Sequence, residues 1–203
     1  MGTSTSVPIT SKAAQALAYY ATVPGSGVLA PRGWYCLGIY GSGGGALLVS
    51  PQPIDSAKIF SRDWSGFSGP AIEISHTFGD TSGRNTVAEI IARVFPAYKS
   101  FVKGVMEMFD MPANSFTFGP FPKDVLSYKS NRLVEYKTPA QTEGLGTHLW
   151  IKQNGSPIGG VAMLVGKAPD LLLLSVRLPP ELNGLTAVII RQVERDVERR
   201  DLK

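Results

Sequence analysis

Apolar and polar positions alternate with a period of two in several short stretches of the chain and recur with helical spacing in three others. From Trp34 to Tyr40, Tyr35, Leu37 and Ile39 fall on one face and Trp34, Cys36 and Tyr40 on the other. Gly41-Ser42-Gly43-Gly44-Gly45 then connects to a returning strand over Ala46 to Ser50, which predicts a hairpin. Ala71 to Thr77 predicts a strand with Ile72, Ile74 and His76 on one face. Asp124–Lys129 and Arg132–Lys137 predict a second hairpin around Ser130-Asn131, with Leu126 and Tyr128 facing Val134 and Tyr136. Between His148 and Gln153, Leu149 and Ile151 alternate with His148, Trp150 and Lys152, and Asn154-Gly155 predicts a tight turn into a strand from Pro157 to Val165. A further strand puts Leu172, Leu174, Val176 and Leu178 on one side. Leu171, Leu173, Ser175 and Arg177 take the other, so its far end is expected to meet water before Pro179-Pro180 stops it.

Helical spacing begins at the N-terminus, where Thr10 or Ser11 caps a helix running to about Tyr20 on Ala14, Leu17, Ala18 and Ala21. Residues 55 to 69 are irregular, with one helical turn starting at Asp55. Thr86 and Glu89 have capping-box spacing, and Val87, Ile90, Ile91, Val94, Tyr98, Phe101, Val102, Val105 and Phe109 keep one register across Pro96. That pattern predicts a single long helix, kinked at the proline. Met111 to Lys123 is loop. Leu185, Val188, Ile189, Val193 and Val197 give a last amphipathic helix, whose charges Arg191, Glu194, Arg195 and Glu198 form pairs on a solvated face. Strands and helices do not alternate as βαβ units. The expected class is therefore α+β, a largely antiparallel sheet of about six to eight strands packed with a long kinked helix and N- and C-terminal helices. Over residues 70 to 200 this topology is similar to the α/β/α sandwiches of the PsbP and Mog1 type.

Composition narrows the picture only a little. The 203 residues are 43% hydrophobic, enough to bury a core as a single domain over 1–203, with residues 1–9 as a flexible leader. Charged residues make up 18%, below the ~25% of ordinary soluble domains, and 22 glycines with 15 prolines suit many turns. A net charge of +4, spread along the chain, lacks the clustered footprint of a nucleic-acid binder, so no nucleic-acid partner is expected. No apolar run reaches the ~20 residues of a membrane span. The leader Met1-Gly2-Thr3-Ser4-Thr5-Ser6 formally fits N-myristoylation, but the preferred expectation is an exported chain whose signal peptide has been replaced by Met-Gly. Pro31-Arg32-Gly33-Trp34-Tyr35-Cys36 and Asp170 to Pro180 resemble segments of exported proteobacterial proteins of unknown function. The resemblance implies a periplasmic or secreted location, with a cytoplasmic one as the alternative.

Chemistry-bearing residues are few. With one cysteine no intramolecular disulfide forms, and Cys36, His76 and His148 lack metal-ligand spacing, so no metal and no cofactor is expected. Cys36, His76 and Asp80 could supply nucleophile, base and orienter. Against this, His76 shares a face with Ile72 and Ile74, and Cys36 lies among aromatic residues, as a buried structural thiol would. The glycines of 41–45 lack the Lys-Ser/Thr and the helix of a phosphate loop and suit a hairpin connection. Ser82-Gly83-Arg84-Asn85-Thr86 combines a loop, a cation and a helix start, and is the candidate anion site. Trp34, Trp64, His148, Trp150 and Lys152 form the candidate partner surface. The leading expectation is a non-catalytic exported binding or protein-interaction domain for an unidentified protein or small ligand. The alternative is a small hydrolase or transferase using Cys36 or a serine with His76.

Overall fold

The computed structural model describes residues 11–22, 27–166 and 168–201; the leader over residues 1–9 and the Thr10 cap lie outside them. Helix α1 (Ser11–Ala16) passes directly into β1 (Leu17–Tyr20), which pairs antiparallel with β2 (Val28–Pro31). The expected first helix is thus four residues too long. Tyr19 and Tyr20 are β-formers, and the ladder from Leu17↔Pro31 to Tyr20↔Val28 takes their backbone bonds.

Seven strands build the main sheet: β3 (Tyr35–Gly41), β4 (Gly44–Ser50), β5 (Ala71–Thr77), β6 (Val125–Ser130), β7 (Leu133–Thr138), β8 (Ile158–Val165) and β9 (Asp170–Arg177). Their order is β3-β4-β5-β9-β8-β7-β6, and every neighbouring pair is antiparallel. The fold is α+β, as the pattern predicts. Both expected hairpins form, including the facing pairs Leu126↔Tyr136 and Tyr128↔Val134. Gly44 is required at the first turn: its φ is +139°, and a Cβ there would strike the His76 carbonyl. A one-turn helix, α2 (Ser56–Ile59), starts where Asp55 accepts a bond from the Ala57 amide.

Helices cover both sheet faces. On one, α5 (Thr186–Asp201) lays Ile189, Ile190, Val193 and Val197 over Leu47, Ile72, Ile74, Val161, Leu174 and Val176, beside β1 and β2. On the other, α3 (Arg84–Val94) and α4 (Lys99–Met108) cover Val134, Tyr136, Ala162, Leu164, Leu171 and Leu173.

Four expectations need correction here. The long helix is not continuous: Phe95 leaves helical geometry at φ −122° and ψ 70°, Pro96–Tyr98 forms a 3-10 turn, and α4 folds back along α3. The reversal follows from the Arg84 guanidinium at the start of α3 reaching the Met108 sulfur at the end of α4, since those residues would lie roughly 36 Å apart in one helix. Nor does a capping box form. The helix begins two residues before Thr86, at Arg84, with Gly83 as an N-cap that has no side-chain bond. The strand expected over His148–Gln153 is absent: Leu145–Thr147 is a 3-10 turn, and only Ile151 makes a single parallel bridge, to Phe67. Both edges of β8 are already taken by β7 and β9, while Asn154 bonds the Ser68 carbonyl and the Ser156 amide instead of closing a hairpin. Finally, the far end of β9 does not meet water. Arg177 is 1% exposed, and its guanidinium donates to the carbonyls of Phe67 (2.7 Å), Gly69 (2.8 Å) and Lys152.

Candidate functional site

Odd-numbered residues of β5 point to the α3–α4 side, which places Glu73, Ser75 and Thr77 in one row. Beyond the edge of α3 this row is the floor of an open cleft of about 330 Å³. Gly43–Ala46 and Ile39 form one wall, Leu149 and Trp150 the opposite one, and Ser82, Gly83 and Thr86 at the start of α3 close one end. A hydrogen bond of 2.9 Å between Ser42 and Ser82, and one from the Phe78 amide to the Gly43 carbonyl, tie that end together.

Two floor groups are conspicuous. Glu73 is 3% exposed and accepts one bond, 3.1 Å from the Trp150 amide; burial pushes its carboxyl up to about 7, against the lowering effects of that amide and of Lys152. Ser75 is 5% exposed, and its hydroxyl has no hydrogen-bond partner. Unsatisfied buried polar atoms are rare and costly, so this one marks a place where a partner belongs. Behind Glu73 the polar row continues across the sheet. Glu73 pairs with Ser175, and the Tyr136 hydroxyl reaches both Ser175 (2.7 Å) and the Leu174 carbonyl (2.8 Å) over Gly160. No larger residue fits at Gly160, where a Cβ would meet that carbonyl and the tyrosine ring.

The candidate catalytic group is taken apart by the sheet. Cys36 pairs with Val49 on β4 and His76 with Gly45, so the two lie four residues apart along the ladder and two strands apart across it, roughly 16 Å. Cys36 is exposed, which corrects the expectation of a buried structural thiol: its aromatic neighbours Tyr35 and Tyr40 are themselves exposed on the edge strand. His76 lies on the α5 side in a smaller apolar cleft of about 190 Å³ with Tyr40, Leu47, Ile74 and Phe78. Its carboxylate neighbour is Asp170, at 3.9 Å, and not the exposed Asp80. Among the described residues, no three His, Cys, Asp or Glu side chains gather as a metal ion would need.

In the anion candidate, Arg84 donates to the carbonyls of Gly79 (3.0 Å) and Asp80 (2.9 Å). Its guanidinium therefore fastens the loop to the helix start, while Ser82, Gly83 and Thr86 face the cleft. The partner surface is brought together only in part. Trp64 stands edge-on to Trp150 at 5.5 Å and to Phe67 at 5.4 Å, with Lys152 beside them. His148 turns to Glu89 of α3 at 3.8 Å, and burial holds its imidazole below the usual histidine range. Trp34 packs into the core on the opposite face. Glu73 and Ser75 are not among the candidates that the sequence pattern offers. No family model, curated protein or solved structure matches this chain.

Proposed function

We propose that the chain is a non-catalytic binding domain whose ligand occupies the cleft over Glu73 and Ser75. The observation that carries this is a buried hydroxyl without a partner beside a buried carboxyl with one, both on the floor of a concavity open to solvent. Concave sites with an apolar and aromatic wall and a few convergent polar groups are where small ligands bind. The separation of Cys36 from His76 removes support from the Cys36 form of the hydrolase or transferase alternative, which needs nucleophile and base within hydrogen-bond reach. Export remains part of the proposal on the strength of the segments 31–36 and 170–180 and the low charged fraction. No helix among the described residues is long and apolar enough to cross a membrane.

The test is an NMR screen of mixed small polar compounds against the labelled protein. Binders should shift the amides of Gly43–Ala46, Glu73–Thr77 and Thr86 and the indole of Trp150, and lose this effect in Ser75→Val. Binders that map consistently to another surface, or a compound turned over in a Cys36-dependent way, would overturn the reading.

A further inference from the structure

Resting on that reading, the geometry also points to the class of ligand. We infer that the cleft takes a small primary amine, with its ammonium group between the Glu73 carboxylate and the Ser75 hydroxyl and its carbon chain against Leu149 and Trp150. Glu73 and Ser75 are two residues apart on one strand, so their side chains rise from the same face about 7 Å apart, close enough for one nitrogen to reach both. An ammonium supplies three donors and a charge. The floor supplies a carboxylate and an acceptor hydroxyl.

The two cations nearest Glu73 are hydrogen-bonded to backbone carbonyls and not to its carboxylate, on which Lys152 acts only through space. Arg177 on β9 is bound to the carbonyls of Phe67, Gly69 and Lys152, and the Lys152 ammonium donates to the Leu149 carbonyl at 3.2 Å. None of the ion pairs among the described residues includes Glu73. A carboxylate taken out of water without a counter-charge costs several kcal/mol. A cation arriving through the cleft removes that cost, whereas an anion increases it and a neutral alcohol leaves it in place. Trp150 lines the same wall, and an aromatic surface beside a bound cation adds to the preference.

Binding of this kind is linked to protons. The groups facing Glu73 are Lys152 on the 148–153 segment, Tyr136 on β7 and Arg177 on β9, with the His148–Glu89 pair where the segment meets α3. Tyr136 is pushed far above the usual phenol range by burial, and the Arg177 guanidinium, which burial lowers only to about 10, stays charged, so Glu73 is the group that loses a proton when the amine binds at neutral pH. Affinity should rise about tenfold from pH 6 to pH 8 and then level off, because the ionised fraction of a carboxyl near 7 rises by that factor.

The experiment uses n-butylamine and n-butanol as probes on the full chain, followed by NMR, with calorimetry in two buffers of different ionisation enthalpy. Expected are shifts at Glu73–Thr77 and the Trp150 indole with the amine, buffer-dependent heats showing proton release, at least tenfold weaker binding in Glu73→Gln, and a several-fold loss in Ser75→Ala. Equal binding of amine by wild type and Glu73→Gln overturns the inference, as does a cleft that answers to the alcohol and not to the amine; the latter leaves the binding-domain reading standing. If neither probe nor any compound of the wider screen moves these residues, both readings fall.

Discussion

The two sides of the main sheet bury their residues on different terms. Toward α5, β4, β5, β8 and β9 project only apolar side chains into the core: Leu47, Val49, Ile72, Ile74, Val161, Met163, Leu172, Leu174 and Val176. Toward α3 and α4, the same strands and β7 project Ser50, Glu73, Ser75, Thr138, Ser175 and Arg177, which are six of the seven buried polar side chains among the described residues; the seventh, Gln192, belongs to α5. Stability does not call for this asymmetry, since a buried ion or hydroxyl seldom stabilises more than an apolar residue of the same volume. One side is a packing surface. The other holds desolvated polar groups in fixed positions, which is what a recognition surface needs.

The largest test of that contrast is Arg177. Replacing it with Met keeps the apolar stem but leaves the Gly69 and Lys152 carbonyls without a donor, each worth ~1–3 kcal/mol when buried and unsatisfied, and takes from the Phe67 carbonyl one of its two donors, the other being the Lys152 amide. Arg177→Met should destabilise the protein by about 3–5 kcal/mol in urea unfolding, and hydrogen exchange should quicken at 67–69 and 148–153, the segments it ties down. A loss below ~1 kcal/mol would show those segments to be held without Arg177, by the Phe67–Ile151 bridge, the Asn154–Ser68 bond and the packing of Ile151, Phe67 and Ile158.

Next in size is the pH dependence set by Glu73. Its folded carboxyl lies at about 7, above the unfolded value near 4.5, so the folded state holds the extra proton between the two. Stability should be full below about pH 4.5 as far as this group is concerned, fall as pH rises toward 7, and stay level above, with a change on the order of 3 kcal/mol. Glu194 on α5 titrates in the same direction because burial and the nearby Glu135 also raise its carboxyl, though it is half exposed and contributes less. Glu73→Gln should remove most of the slope and Glu194→Gln the remainder. If Glu194→Gln removes most of it, the polar side of the sheet is not where the proton is held. Glu73→Leu sharpens the contrast further: it should stabilise the fold by about 1 kcal/mol, measured by urea unfolding at pH 7.5, while abolishing binding in the cleft.

What was legible in the sequence divides along the same line. Strand faces and the α5 stripe are local patterns, and Ile72, Ile74, Leu172, Leu174, Ile189 and Val193 reveal themselves as core by period alone. Three features depend on what lies beside a segment. The alternation of 148–153 is real, but the sheet has no free edge for it once β7 and β9 flank β8. The apolar register across Pro96 persists because α3 and α4 cover one surface from opposite directions, and a period carries no sign of direction. Glu73 looks like the solvent face of a half-buried strand until β9, apolar on both faces from Leu171 to Leu174, is known to be its neighbour. That double-sided run was the available signal: a strand paired with it has no solvent face at its centre.

The smallest expected effect lies at the edge, where the contrast between the sides should vanish. Cys36 points to the α5 side of β3, yet neither α5 nor the β1–β2 pair extends over it, and it is exposed together with Tyr35 and Tyr40. Its substitution by Ser removes no core contact, so the change in stability should stay within about 0.5 kcal/mol. Iodoacetamide should modify the native thiol at pH 8 within a few-fold of its rate in the urea-unfolded chain, because the thiol is already exposed. A hundredfold protection would mean that the unpaired side of β3 is covered in solution. An edge strand is a ready template for another chain, so dilution should then restore the rate; if it does not, the apolar side reaches further across the sheet than the contrast allows.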